Sequence, residues 1–121
     1  MPHCILEHSN NVIDNPDVRQ LLLGIHDLLM ETGMFKRNDI KSRVIVHDQY
    51  VVGDGELSRC FVTLNICILS GRTDEIKQSL AESALAHLKI AYPRSLEKLK
   101  CSITVQISDI HRESYRREIS G

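Results

Sequence analysis

The chain has 121 residues, 42% hydrophobic and 26% charged, with aromatics at 4% and no Trp; 15 basic and 16 acidic side chains leave a formal net charge of -1. That length makes one domain over residues 1–121, with a single core that an oligomer interface would help to complete, and the even charge balance supplies no broad positive field for nucleic acid or an anionic membrane. No apolar stretch approaches the roughly 18 residues that span a bilayer, and the opening Met1-Pro2-His3 is not a secretory leader, so a cytoplasmic protein is expected. Four cysteines, Cys4, Cys60, Cys67 and Cys101, form no CxxC pair and read as reduced, mostly buried thiols; the odd spacing of Cys60 and Cys67 sets them on opposite faces of one strand.

Residues 3 to 7 form a short apolar segment that reads as a strand, closed by the polar turn Ser9-Asn10-Asn11. Asn15 as N-cap, Pro16 in the first turn and Asp17 at the positive helix end predict a helix over about residues 16 to 32. Its apolar face is Val18, Leu21, Leu22, Ile25, Leu28 and Leu29, and Thr32-Gly33 stops it. Residues 40 to 46 are β-rich, and Gly53-Asp54-Gly55 reads as a hairpin turn. The near-continuous apolar run within residues 59 to 69 predicts a strand covered on at least one face. Thr73 caps a second helix, with Asp74 and Glu75 in its first turn and Ile76, Leu80, Ala84, Leu88 and Tyr92 along its apolar side. That helix ends near Pro93. Ile103, Val105 and Ile107 alternate with Thr104, Gln106 and Ser108 as a half-wet strand, and from about residue 111 a polar arm follows, carrying Arg112, Arg116 and Arg117.

The order is βαβ-βαβ, an α+β chain with two helices on one face of a four-stranded sheet. Periodicity fits both the ferredoxin-like split unit, the commoner one, and two parallel βαβ halves joined antiparallel. The residue content bears on the choice. Met1-Pro2-His3 followed by Ile5, Leu6, Glu7 and Ser9 resembles the start of the 5-carboxymethyl-2-hydroxymuconate isomerase family of the tautomerase superfamily. Thr32-Gly33-Met34-Phe35 is similar to the family's Thr-Gly-Ile-Phe turn, Ile40-Lys41-Ser42-Arg43-Val44 to its Ile-Arg-Ser-Arg-Val strand, and Gly71-Arg72-Thr73 to its Gly-Arg-Ser turn. Asp54-Gly55 and Phe61-Val62 fall in register, so the likeness runs to about Ile110. It implies a mixed sheet of paired βαβ units, a homotrimer, a small carboxylate substrate, and the amino-terminal proline as catalytic base once Met1 is lost. Lys41 departs from the family arginine, keeping the charge but not the planar two-pronged donor.

Moving a double bond in an unsaturated 2-hydroxymuconate-type di- or tricarboxylate needs one group that removes a proton and returns it elsewhere. A terminal amine has an ordinary pKa near 8, and burial or nearby cations lower it further, so Pro2 is a fitting acid and base without any cofactor. In a parallel βαβ unit Lys41 starts the strand beside Pro2, and an antiparallel second half brings Arg72 to the same edge at a helix N-terminus. Lys41, Arg43 and Arg72 are therefore the candidate carboxylate-binding cations, with Arg43 the one most readily explained as a solvated surface charge. No metal-ligand spacing joins the six histidines, and no GxSxG elbow surrounds a serine. The competing reading is a non-catalytic small-anion-binding or regulatory module on a ferredoxin-like fold.

Overall fold

Alternating apolar residues make strands here, and long-range pairing decides how they are ordered. The computed structural model describes residues 1–121. In chain order, strand β1 (His3–Ser9) is followed by helix α1 (Val18–Glu31), β2 (Lys41–His47) and β3 (Arg59–Leu69). Helix α2 (Asp74–Ala91), the short helix α3 (Pro93–Lys98) and β4 (Lys100–Ile110) complete the order, with single 3₁₀ turns at Arg37–Asp39 and Arg112–Ser114. The sheet order is β2-β1-β3-β4: β1 runs parallel to β2 and antiparallel to β3, and β3 runs parallel to β4. These are two parallel βαβ halves joined antiparallel. The ferredoxin-like alternative is thereby excluded, because its split units would insert β3 between β1 and β2 and β1 between β3 and β4, whereas here β1 and β2, and β3 and β4, are direct parallel neighbours.

One sheet face is covered and the other is bare. Cys4 and Leu6 of β1 with Val62, Leu64, Ile66 and Ile68 of β3 point to the helices, where they meet Leu21, Ile25 and Leu29 of α1 and Leu80, Ala84 and Leu88 of α2. All are buried. Their partners in the alternation, such as Ile5, Phe61, Thr63 and Asn65, stay half-buried on the open face, and Ile45 is 43% exposed there. Cys60 and Cys67 divide between the two faces as their spacing predicts, and all four thiols are free.

Two local expectations are corrected, and a third, the end of α2 near Pro93, holds and gains a second role. Helix α1 is capped by Asp17, whose carboxylate accepts from Gln20 N–H at 3.1 Å, and not by Asn15. The reason lies far along the chain: Asp14 accepts from the backbone N–H groups of Arg94 and Ser95 at 3.0 and 2.8 Å, so the segment before Pro16 serves the start of α3. Pro93 not only ends α2 but opens α3 at its first turn, where a missing N–H costs nothing. Gly53-Asp54-Gly55 is no hairpin, because β1 lies between β2 and β3 in the sheet. It is a turn within a crossing loop, pinned by Arg59, which donates to Asp54 at 2.8 Å and pushes that carboxyl down to about 2.

Helices α1 and α2 cross closely at Gly24. A Cβ placed there would overlap the His87 ring, whose Nε2 is hydrogen-bonded to the Leu21 carbonyl at 3.1 Å and is therefore not free to swing aside. Gly24→Ala gains up to ~1 kcal/mol of helix propensity but incurs an overpacking cost of ~1–3 kcal/mol. A net loss of about 1 kcal/mol is expected, read as an earlier denaturant midpoint at unchanged slope.

Candidate active site

The register explains why three distant segments share one edge. His3 pairs with Lys41 on one side and with Cys67 on the other, so the starts of β1 and β2 meet the end of β3, and the turn carrying Arg72 follows at once. Pro2 is buried, and its carbonyl accepts from the Lys41 N–H at 3.0 Å. The Met1 ammonium donates to the Asp39 carbonyl at 2.9 Å, and Lys41 Nζ donates to that same oxygen at 3.0 Å. One carbonyl thus holds two cationic groups together. Burial first, then the charges of Lys41 and Arg117, push the terminal amine below its ordinary 8.0, against a weaker opposing pull from Asp39.

Beside the amino terminus opens a cavity of about 400 Å³, walled by Met1, Phe35, Asp39, Arg72, Arg116 and Arg117, with Lys36 and Tyr115 at its margins. Its charged lining is one-sided. Lys36, Arg72, Arg116 and Arg117 face a single carboxylate, Asp39, in a chain whose overall charge is -1. A second hollow of about 430 Å³ lies between the end of α1 and the start of α2, but Glu31 and Glu75 line it and no cation does, so it repels a carboxylate ligand.

Arg72 has the most telling environment. Its guanidinium stacks over Phe35, 5.5 Å from the ring centroid, which holds the planar group in place. Three buried side-chain polar atoms lack a hydrogen-bond partner, Asn11 Oδ1, Ser58 Oγ and Arg72 Nε, and only the last belongs to a charged group on this cavity wall. A buried donor with no partner is costly, and no other side chain neutralises this guanidinium. The adjoining helix end is itself already occupied, since Thr73 Oγ1 accepts from Ile76 N–H and Asp74 and Glu75 fill the first turn of α2.

Of the residues picked out by sequence, Lys41 lies beside Pro2 and the amine, and Arg72 walls the cavity that Met1 also lines, a cavity that neither Pro2 nor Lys41 itself lines. Arg43 lies farther along the open face, opposite Ile5, with Nη1 3.5 Å from His3 Nδ1. His3 is pushed below its ordinary 6.5 by burial first and then by the amino terminus, Arg43 and Lys41, so its ring is neutral at pH 7. Phe35, Asp39, Tyr115, Arg116 and Arg117 were not singled out as site residues. The one sequence signal among them is the adjacent pair Arg116-Arg117 in the arm. The other histidines have separate structural tasks: His26 bonds Ser42 at 2.7 Å and His47 bonds Glu7 at 2.9 Å.

Two parallel βαβ halves with a cation-lined cavity at the amino terminus make the architecture of the tautomerase superfamily. A 5-carboxymethyl-2-hydroxymuconate isomerase from Deinococcus radiodurans R1 superposes with a TM-score of 0.90 at 23% identity, over 98% of this chain and 90% of its own. A structure described as "Q0 fused 4-OT wild type symmetric trimer" superposes at 0.71 and 15% identity, over 91% and 86%. The chain belongs to the 5-carboxymethyl-2-hydroxymuconate isomerase family, whose model matches residues 2–119. The 5-carboxymethyl-2-hydroxymuconate Delta-isomerase of Escherichia coli is 28% identical over 111 residues, 92% of this chain and 88% of that protein. The protein is accordingly an isomerase of the tautomerase type, and the non-catalytic ferredoxin-like module is not favoured.

Proposed function

We propose that the protein shifts a proton and a double bond in an unsaturated 2-hydroxymuconate-type di- or tricarboxylate, 5-carboxymethyl-2-hydroxymuconate first among them, within aromatic catabolism in the cytoplasm. Loss of Met1 turns the Pro2 nitrogen from an amide into a secondary amine. Neutral, that amine takes a proton from the substrate and leaves a dienolate; protonated, it returns the proton at another carbon, with no net change in charge or oxidation state. Arg72 receives one carboxylate with its fixed, unpartnered guanidinium, and Lys41 stabilises developing negative charge near the amine. Arg43 acts at one remove, adding positive potential through its contact with His3. No cofactor enters this scheme.

The observation that carries this reading is the pairing of a cation-crowded amino terminus with the orphaned Nε of Arg72 in one cavity. Ultraviolet absorbance tests it directly, because turning the conjugated dienol into a shorter conjugated enone changes the spectrum: the mature chain converts the substrate, and a chain blocked at Pro2 does not.

The same reading includes a homotrimer. Its support is the uncovered sheet face with Ile5, Ile45 and Phe61, the two unpaired sheet edges on β2 and β4, and the likeness to a structure described as a symmetric trimer. Sedimentation equilibrium should return three times the 13.8 kDa chain mass.

A further inference from the structure

The carboxy-terminal arm reaches back across the molecule to the amino-terminal cavity. Arg112 anchors its root, donating from Nε and Nη2 to the Ser70 carbonyl at 3.3 and 2.9 Å. Tyr115 lies against β1, its hydroxyl 3.5 Å from His3 Nε2. Beyond it the two arginines differ in what they touch. Arg116 Nη1 donates to the carbonyls of Glu113 and Tyr115, at 2.8 Å each, and so mainly braces the arm. Arg117 is held only by Asp39, with Nη1 3.2 Å from Oδ1 across the cavity margin.

We propose that Arg117 is a substrate-binding residue that selects acids with more than one carboxylate, and that Asp39 occupies its guanidinium until such a substrate displaces it. This rests on the proposed tautomerase reading and adds its specificity. The Asp39 carboxylate already shows that the arginine reaches an anion at the cavity wall, through the single Nη1–Oδ1 contact, and both side chains are partly exposed, 42% for Arg117 and 26% for Asp39, so exchange needs no opening of the core. A monoacid is satisfied by Arg72 and leaves the Asp39–Arg117 pair closed. A second carboxylate gains a partner that is already charged, already positioned and held only by a surface ion pair of small worth. Arg72 and Arg117 stand on separate segments of one cavity wall, one in the turn after β3 and one in the arm, so the separation of the two carboxylates becomes a length filter.

The test compares the parent with Arg117→Ala, Arg117→Lys and Asp39→Asn on an unsaturated 2-hydroxy diacid and its one-carboxylate counterpart. It also measures binding of adipate and of valerate by calorimetry. For Arg117→Ala we expect the diacid-to-monoacid ratio of kcat/KM to fall about 10–100-fold, a ratio in which any change that the lost charge makes to the terminal amine cancels because both substrates share that amine. Adipate should weaken by a similar factor and valerate should not; Arg117→Lys should recover part of the loss, and Asp39→Asn should tighten the diacid severalfold. Equal weakening of adipate and valerate, or neither weakened, overturns the inference. The binding comparison stands whether or not Pro2 is the base, so a mature chain without turnover refutes the proposed reaction and leaves the carboxylate selection to be judged by calorimetry alone.

Discussion

Pro2→Ala in the mature chain should lower kcat/KM by about 10²–10⁴-fold, the range for loss of a positioned general acid and base, while the fold and oligomeric mass are retained. Alanine keeps an amine at the terminus but exchanges a ring-fixed secondary nitrogen for a primary one free to rotate, so part of the activity is expected to survive. Retention of Met1 is the harsher change. It makes the Pro2 nitrogen an amide with no basic lone pair, and a fully unprocessed sample should be inactive. Turnover should then scale with the processed fraction measured by intact mass. The pH profile follows from the surroundings. Burial, Lys41 and Arg117 lower the pKa of the Met1 amine while Asp39 opposes them, and Lys41, whose N–H bonds the Pro2 carbonyl, adjoins the mature terminus as well. A cation beside the mature amine disfavours its protonated form, so the rising limb of kcat/KM should move upward in pH when Lys41 loses its charge. Full activity of a chain proved to carry Met1 would refute this account.

Residues with strictly local causes were legible in the sequence. The alternation Ile103, Val105, Ile107 became β4, the spacing Leu21, Ile25, Leu29 became the buried stripe of α1, and Thr73 became the cap of α2. What failed depended on partners far away in the chain. Asn15 and Asp17 are both good caps; the choice is made by Asp14 reaching across some eighty positions to Arg94 and Ser95. Gly53-Asp54-Gly55 has the letters of a hairpin, but no local signal reveals that β1 separates the strands on either side of it. At the site, the convergence of Pro2, Lys41 and Arg72 followed from strand direction once the halves were set antiparallel. The arm did not: Tyr115, Arg116 and Arg117 lie in a polar stretch without periodicity, and only tertiary contacts with His3 and Asp39 bring it to the cavity.

Arg72→Ala should lower kcat/KM by about 10²–10³-fold, the cost of removing a preorganised donor from developing or bound negative charge, and yet leave stability unchanged or raised. The two effects have separate causes. Removing the guanidinium gives up its stacking on Phe35, worth about 0.5–1 kcal/mol, but also relieves the burden of a buried N–H without an acceptor, about 1–3 kcal/mol. The second outweighs the first, so the empty protein should melt no earlier than the parent. A saturating dicarboxylate should reverse that order, because it supplies the missing acceptor only where Arg72 is present and stabilises the parent by mass action. Arg72→Lys should keep part of the charge effect but lose the stacked, forked geometry, and fall between the two in activity. An arginine whose chief task was to hold the turn between β3 and α2 would behave oppositely: its loss would lower the melting temperature without ligand, and added dicarboxylate would shift parent and variant alike.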